Sequence, residues 1–259
     1  MGLITFLGTG TSHGIPMIGC DCPVCVSSNP YNKRFRSSVL VETDSVRIVI
    51  DTPPEFRLQV LRAGIRSIDA VFITHSHADH IMGFDDLRLL SRSVEGGLPC
   101  YASSSTAADL RRAFQYVIRG ASKGATVPNV RIIDMNGPIT VCGETVIPIP
   151  VRHGTEEILG FRIGKMAYIT DCSYIPESSY PLLDDLDVLV LNALRFRSHD
   201  NHFTVSQALD EVRRIRPNAA YFTHIAHEVD HDTVSADLPD NVHLAYDGLQ
   251  VAFAEEGTR

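Results

Sequence analysis

No apolar run in this 259-residue sequence approaches the roughly 18 residues that a membrane-spanning helix needs. The opening Leu3-Ile4-Thr5-Phe6-Leu7 reads as a strand without a basic region or cleavage site, so no secretory signal is expected. Phe6 stands where an N-myristoylation motif needs Ser or Thr, which excludes that anchor. Neither a repeat nor a linker interrupts the chain, and a single domain over 1–259 is expected. Positive charge is also scarce: 23 Lys and Arg face 31 Asp and Glu, for a net charge of −8. A long nucleic-acid track needs a positive surface, so neither long nucleic acid nor a membrane is an expected partner. Hydrophobic content of 44% with 21% charged residues is globular and supplies a sizeable core. Outside one cluster, Cys100, Cys142 and Cys172 are scattered; reduced thiols in the cytoplasm are the expected state.

The segment Thr74-His75-Ser76-His77-Ala78-Asp79-His80 carries four metal-competent side chains within six residues. It follows Asp69-Ala70-Val71-Phe72-Ile73-Thr74, a buried strand by pattern. If the chain stays extended, the two-residue period points His75 and His77 to one side. Asp79 and His80 then lie on the turn that opens the next helix and face a second point. Two histidines for one ion and an Asp–His pair for another is the simplest geometry. Imidazole with carboxylate suits zinc, iron, manganese or nickel.

This signature resembles that of the metallo-β-lactamase superfamily, and the later strands continue the resemblance. Val146–Val151 runs towards His153, Met166–Thr170 ends at Asp171, and Ala219–Thr223 ends at His224. The resemblance implies that His75, His77 and His153 hold one metal and that Asp79, His80 and His224 hold the other. Asp171 would bridge them, and Asp79 counts among the catalytic residues as well. Asp51, ending Arg47-Ile48-Val49-Ile50, is either an outer partner that sets the tautomer of a ligand His or a plain turn residue.

Gly19-Cys20-Asp21-Cys22-Pro23-Val24-Cys25 places three thiols in six residues. Three thiolates want a fourth ligand, and a closed Cys3His zinc site is the common solution. His227, three residues beyond His224, is the candidate, so the Thr223–His227 turn would serve two metals. Such a closed site has no room for substrate, and its role would be to staple the N-terminal loop.

With this cluster the sequence resembles the PhnP-type cyclic-phosphate phosphodiesterases. Gly8-Thr9-Gly10, Arg34-Phe35-Arg36-Ser37-Ser38 and Tyr246-Asp247-Gly248 add to the match. The resemblance implies a catalytic His near the leaving group in His199-Asp200-Asn201-His202, with His202 the matched position and His199 its nearest competitor. His13, in Ser12-His13-Gly14, departs from the expected pattern and reads as structural or exposed. The implied cofactors are two divalent ions, Mn or Zn with Fe or Ni as alternatives, and one structural Zn. The implied reaction is attack of a metal-activated water on a small anionic phosphodiester such as phosphoribosyl 1,2-cyclic phosphate. Protonated His202 would donate to the leaving oxygen or hold the phosphoryl group. The clusters Lys33-Arg34-Phe35-Arg36 and Arg195-Phe196-Arg197 are candidates for holding a terminal phosphate. A homodimer is compatible with all of this. Alternatives are a 2′,3′-cyclic nucleotide or RNA-end phosphodiesterase, and a non-catalytic accessory protein of cofactor biosynthesis. Lactam and thioester hydrolysis also use the scaffold.

The expected fold is α/β, an αββα four-layer sandwich with two packed sheets flanked by helices. Strand patterns fall at Leu3–Leu7, Ser38–Glu42, Val46–Ile50, Ala70–Thr74, Val130–Asp134, Ile139–Val141 and Thr145–Ile149. Others fall at Gly160–Ile163, Met166–Thr170, Val188–Asn192, Ala219–Thr223, Val242–Tyr246 and Leu249–Phe253. Helix patterns cover Glu55–Ala63, Ile81–Ser93, Thr106–Arg119 and Val205–Arg214, the last with a Thr204/Gln207 cap. Ser122–Pro128 reads as a mobile loop.

Overall fold

Period-two burial sorts alternate residues of the central strands onto two faces. Ile48 and Ile50 lie in the core between the sheets, while Val49 packs outwards. Val188 and Val190 likewise face in and Leu189 and Leu191 face out. Strands apolar on both sides need cover on both sides, which dictates four layers.

The computed structural model describes residues 1–119 and 126–255. Among them run β1 Gly2–Gly8, β2 Ser38–Glu42, β3 Arg47–Ile50, β4 Ala70–Phe72, β5 Leu98–Ala102, β6 Val130–Asp134 and β7 Ile139–Val141. Then come β8 Glu144–His153, β9 Glu156–Ile163, β10 Met166–Ile169, β11 Val188–Asn192, β12 Ala219–Thr223, β13 Val242–Leu244 and β14 Gln250–Phe253. One sheet has the order β14-β1-β2-β3-β4-β5-β6 and the other β13-β12-β11-β10-β9-β8-β7. Each sheet is antiparallel on one side and parallel on the other, with β3 to β6 and β10 to β13 parallel. The sheets enclose Ile4, Phe6, Phe72, Phe161, Tyr168 and Val190, each contributing roughly 1.5–3 kcal/mol by burial. Helices Phe56–Ala63 and Ser104–Ala113 cover the outer face of the first sheet. The Val205–Ile215 helix covers the second through Val205, Ala208 and Val212. Its Thr204/Gln207 capping box is formed on both sides. The expected αββα sandwich is therefore the observed fold.

Several local expectations differ. The Ile81–Ser93 helix is three pieces, Ala78–Ile81, a 3-10 turn Phe84–Asp86, and Leu87–Leu90. Gly83 is the reason: a Cβ there would lie 2.1 Å from the Pro53 carbonyl oxygen, so the chain presses against its neighbour and turns. Thr106–Arg119 begins at Ser104 under a Ser103 cap and breaks at Phe114. β5 was not expected, because Pro99 weakens its strand pattern; the His231–Asp237 helix, capped by Asp230, was not expected either. Of the Ser122–Pro128 loop, 122–125 lie outside the described residues. No helix among the described residues is long and apolar enough to cross a membrane.

Candidate metal centre

In open α/β sheets, groups at the carboxyl ends of parallel strands converge on one rim. Asp171 follows β10, His224 follows β12, and His153 closes β8. His75 and His77 sit beyond β4. That strand stops at Phe72, earlier than the sequence pattern implied, so the connection into the Ala78–Ile81 helix places them rather than strand period. Their rings are 4.6 Å apart, and His153 lies 5.4 Å from His75 and 5.0 Å from His77. Ligand atoms of His75, His77, His153 and Asp171 form one group within 4.8 Å of one another. Asp79, His80, Asp171 and His224 form a second group by the same measure, and Asp171 belongs to both.

The donor set fits divalent cations. His75 Nε2, His80 Nε2 and both ring nitrogens of His224 are buried without a hydrogen-bond partner. His224 Nε2 stands 3.1 Å from Asp171 Oδ1, and His80 Nε2 stands 3.4 Å from Asp171 Oδ2 and 3.3 Å from Asp79 Oδ2. Neighbouring ligands around a tetrahedral ion with bonds of about 2.1 Å would be about 3.4 Å apart. The atoms thus face common points rather than each other.

Outer partners fix the tautomers. His80 Nδ1 lies 2.7 Å from Asp51 Oδ2 and donates to it. The Thr74 hydroxyl donates to Asp51 at 2.8 Å and accepts the His75 Nδ1–H at 3.0 Å. His153 Nδ1 donates to the Asn201 carbonyl at 2.9 Å. In all three, Nδ1 is engaged and Nε2 is the nitrogen turned towards the cluster, the orientation a metal ligand needs. The expected Asp51–histidine contact is present. Thr74 and the Asn201 carbonyl were missed, since a hydroxyl before a histidine and a backbone oxygen carry no distinguishing pattern.

Charge in the cluster is strongly opposed. Burial raises the Asp171 carboxyl, but His224 and His80 outweigh it and hold it well below the usual range. Asp79 is held down likewise, burial being overcome by His80 and His224. Burial lowers His80, yet the carboxylates of Asp171, Asp51 and Asp79 raise it well above an ordinary imidazole. The backbone is also constrained: Asp51, Asp171 and His224 have φ of 64°, 54° and 55°. Such left-handed residues cost about 1–3 kcal/mol each and collect at functional sites.

Cys20, Cys22, Cys25 and His227 form a separate group, again within 4.8 Å. His227 Nδ1 is 3.3 Å from Cys20 Sγ and 3.2 Å from Cys22 Sγ. Burial raises the Cys22 thiol, but the Cys25 N–H and His227 bring it down to about 6; burial pushes Cys25 up to about 11. The first loop is tied to the same turn by Ile225 N–H to Thr9 O and Thr11 N–H to Ile225 O.

His202 lies between His153 and His224, at 4.8 and 4.9 Å, and stands outside both ligand groups. His199 is one ring further out, 4.8 Å from His202, and accepts the Asn201 N–H. Burial, then His224, pushes His202 down to about 3, a direction that favours the neutral ring. Both line a cavity of about 170 Å³ with Thr11, Ser12, exposed His13 and Arg195.

Of the two basic clusters only one reaches this cavity. Arg34 is buried, donates to Thr9 Oγ1 at 2.7 Å, and is lowered by burial to about 10. Lys33 holds the Cys25 carbonyl at 2.8 Å, and Arg36 pairs with Glu55. The expectation that Lys33–Arg36 grips phosphate is therefore replaced by a structural role. Arg197 pairs with Glu228, and Arg195 braces the Arg197 and Ser198 carbonyls at 3.3 and 3.2 Å.

Residues 46–225 match the family model described as a beta-lactamase superfamily domain. A crystal structure of a diphosphatase from the PhnP family is 42% identical, with a TM-score of 0.92, over 98% of this chain and 99% of that one. An octanoyltransferase of Porphyromonas gingivalis is 38% identical over 258 residues, 98% of this chain and 52% of that protein. A Ribonuclease Z of Bradyrhizobium diazoefficiens is 27% identical over 165 residues, 62% of this chain and 49% of that protein. The chain thus spans about half the length of these two curated relatives. With the shared carboxylate between two imidazole groups and the match over almost the whole length of a PhnP-family structure, the chain belongs to the beta-lactamase superfamily, as a member of its PhnP type.

Proposed function

We propose that the protein is a dinuclear-metal phosphodiesterase acting on a small cyclic phosphodiester such as a phosphoribosyl 1,2-cyclic phosphate. The observation that carries this is the pair of ligand groups sharing Asp171 beside a small cavity lined by His199, His202 and Arg195. Two divalent ions bound there would supply a nucleophile from water near neutral pH and offset the negative charge of the phosphodiester. His75, His77 and His153 would hold one, Asp79, His80 and His224 the other, with Asp171 between. Asp79, with its side chain 14% exposed against 3% for Asp171, would orient the attacking water. Neutral His202 keeps a ring N–H with which to meet the leaving oxygen or the phosphoryl group. Arg195 is the cation positioned for a non-reacting anionic group. Cys20, Cys22, Cys25 and His227 would hold a structural zinc. A single domain over 1–259, in the cytoplasm, belongs to the same reading.

A second reading has specific support. The PhnP-family structure at 42% identity is of a diphosphatase, so a phosphoanhydride is the alternative substrate class. The octanoyltransferase name is not carried over, because the chain matches only about half of that protein.

Turnover of bis(4-nitrophenyl) phosphate with added manganese, zinc, iron or nickel tests the reading, with Asp171→Asn alongside. The variant is expected to lose more than the roughly 10–100-fold typical of losing an outer partner. Metal-independent turnover, or an unaffected variant, would sink it. Cyclic ribose phosphates, 2′,3′-cyclic nucleotides and a diphosphate then separate the substrate classes.

A further inference from the structure

We propose that Asn192 is a positioning residue that sets the place of Asp171, the carboxylate common to both ligand groups. The inference rests on the metallohydrolase reading above.

Three adjacent parallel strands end on the rim: β10 before Asp171, β12 before His224, and β11 between them. β11 offers no candidate ligand. Its last residue is Asn192, fully buried at the end of the otherwise apolar Val188–Leu191. A carboxamide in such surroundings is tolerated only when its polar atoms are paired. Asn192 spends both ends on one residue: Oδ1 accepts the Cys172 N–H at 2.7 Å, and Nδ2 donates to the Cys172 carbonyl at 3.0 Å. Cys172 directly follows Asp171, whose φ of 54° lies in the left-handed region, a conformation that carries a cost outside glycine. The same Asn192 pairs in register with Thr223, and the next residue, Ala193, donates to the Thr223 carbonyl at 3.0 Å, immediately before His224. The side chain therefore fixes the turn of Asp171 while the backbone fixes the start of the turn of His224. Their facing atoms, Asp171 Oδ1 and His224 Nε2, stand 3.1 Å apart. Both side-chain hydrogen bonds of Asn192 go to the Cys172 backbone, so it acts through the geometry of Asp171.

The test is Asn192→Asp, which keeps the size and the acceptor for Cys172 N–H but cannot donate to the Cys172 carbonyl. Asn192→Ser stands in if the added charge prevents folding. Full-length wild type and variant are titrated with Mn(II) alone, with stoichiometry, the exchange-coupled electron paramagnetic resonance signal and melting temperature recorded. Phosphodiester kinetics complete the set. The expected result is a folded variant whose second Mn(II) binds about 10–100-fold more weakly, with the coupled signal diminished. kcat should fall while KM stays within about twofold, as for a lost transition-state contact. A variant that melts lower but binds the pair and turns over like wild type overturns the assignment and leaves the metallohydrolase reading intact. Wild type that takes up no ion pair overturns both.

Discussion

Asp247 lies almost fully buried away from the metal groups, one oxygen accepting the Thr9 hydroxyl at 2.8 Å and the other the Phe35 N–H at 2.7 Å. Burial raises its carboxyl to about 6 from 3.8, against the pull of Phe35 N–H, Thr9, Arg34 and Arg62. The folded state therefore binds the proton more tightly than the unfolded chain. This group's contribution is complete below pH about 4 and is lost as pH rises through about 6, a loss of about 3 kcal/mol. Asp247→Asn should remove that dependence, so its stability relative to wild type should rise between pH 4 and pH 7. A constant difference in urea unfolding across that range would refute it. At this scale the sequence exposed residues whose chemistry is distinctive, such as the imidazoles, the thiols and Asp51. It did not expose Thr74 or Asn192, whose role depends on which backbone they meet.

The elements were legible where period and cap agreed. The Val205–Ile215 helix has both, and its capping box and apolar stripe are as expected. The Ile81–Ser93 pattern has the period alone, and Gly83 overrides it. Gly83 N–H bonds the Thr52 carbonyl at 2.8 Å, and Thr52 N–H bonds the His80 carbonyl at 2.7 Å, so the break seats the end of the metal segment against Asp51. Gly83→Ala would push a Cβ to 2.6 Å from the Phe56 Cβ as well as into the Pro53 carbonyl. Overpacking of this kind costs typically about 1–3 kcal/mol, a melting-temperature loss of roughly 2–12 °C for a chain of this size. Calorimetry showing an unchanged transition would contradict the steric account.

Across the whole molecule, the N-terminal loop and the Thr223–His227 turn close the active-site side between them. Thr11–Gly14 and Met17 line the cavity, and the cysteine group pins their segment to His227. Cys22→Ser should therefore lower the zinc content by one ion per chain, reduce the melting temperature, and raise KM more than kcat. Elemental analysis with steady-state kinetics checks this; an unaltered zinc content with unaltered KM would remove the staple from the account.

The four-layer architecture was legible in the sequence, because strand clusters at both ends with helices between them suggest two packed sheets covered by helices, and the superfamily resemblance implies the same. Clustering marked the His75–His80 and Cys20–Cys25 segments, because His, Asp and Cys packed so closely have few other uses, while His153, Asp171 and His224 entered only through the resemblance to the superfamily. Only the tertiary structure decided that Arg34 is a buried brace and Arg195 a cavity residue, since local sequence cannot distinguish a desolvated guanidinium from a ligand-facing one. It alone shows what pushes His202 down, because the burial and the neighbouring His224 and His153 come from segments distant in sequence. Asn192 follows the same logic: a terminal strand residue becomes a clamp when the neighbouring strand's turn comes within hydrogen-bond reach.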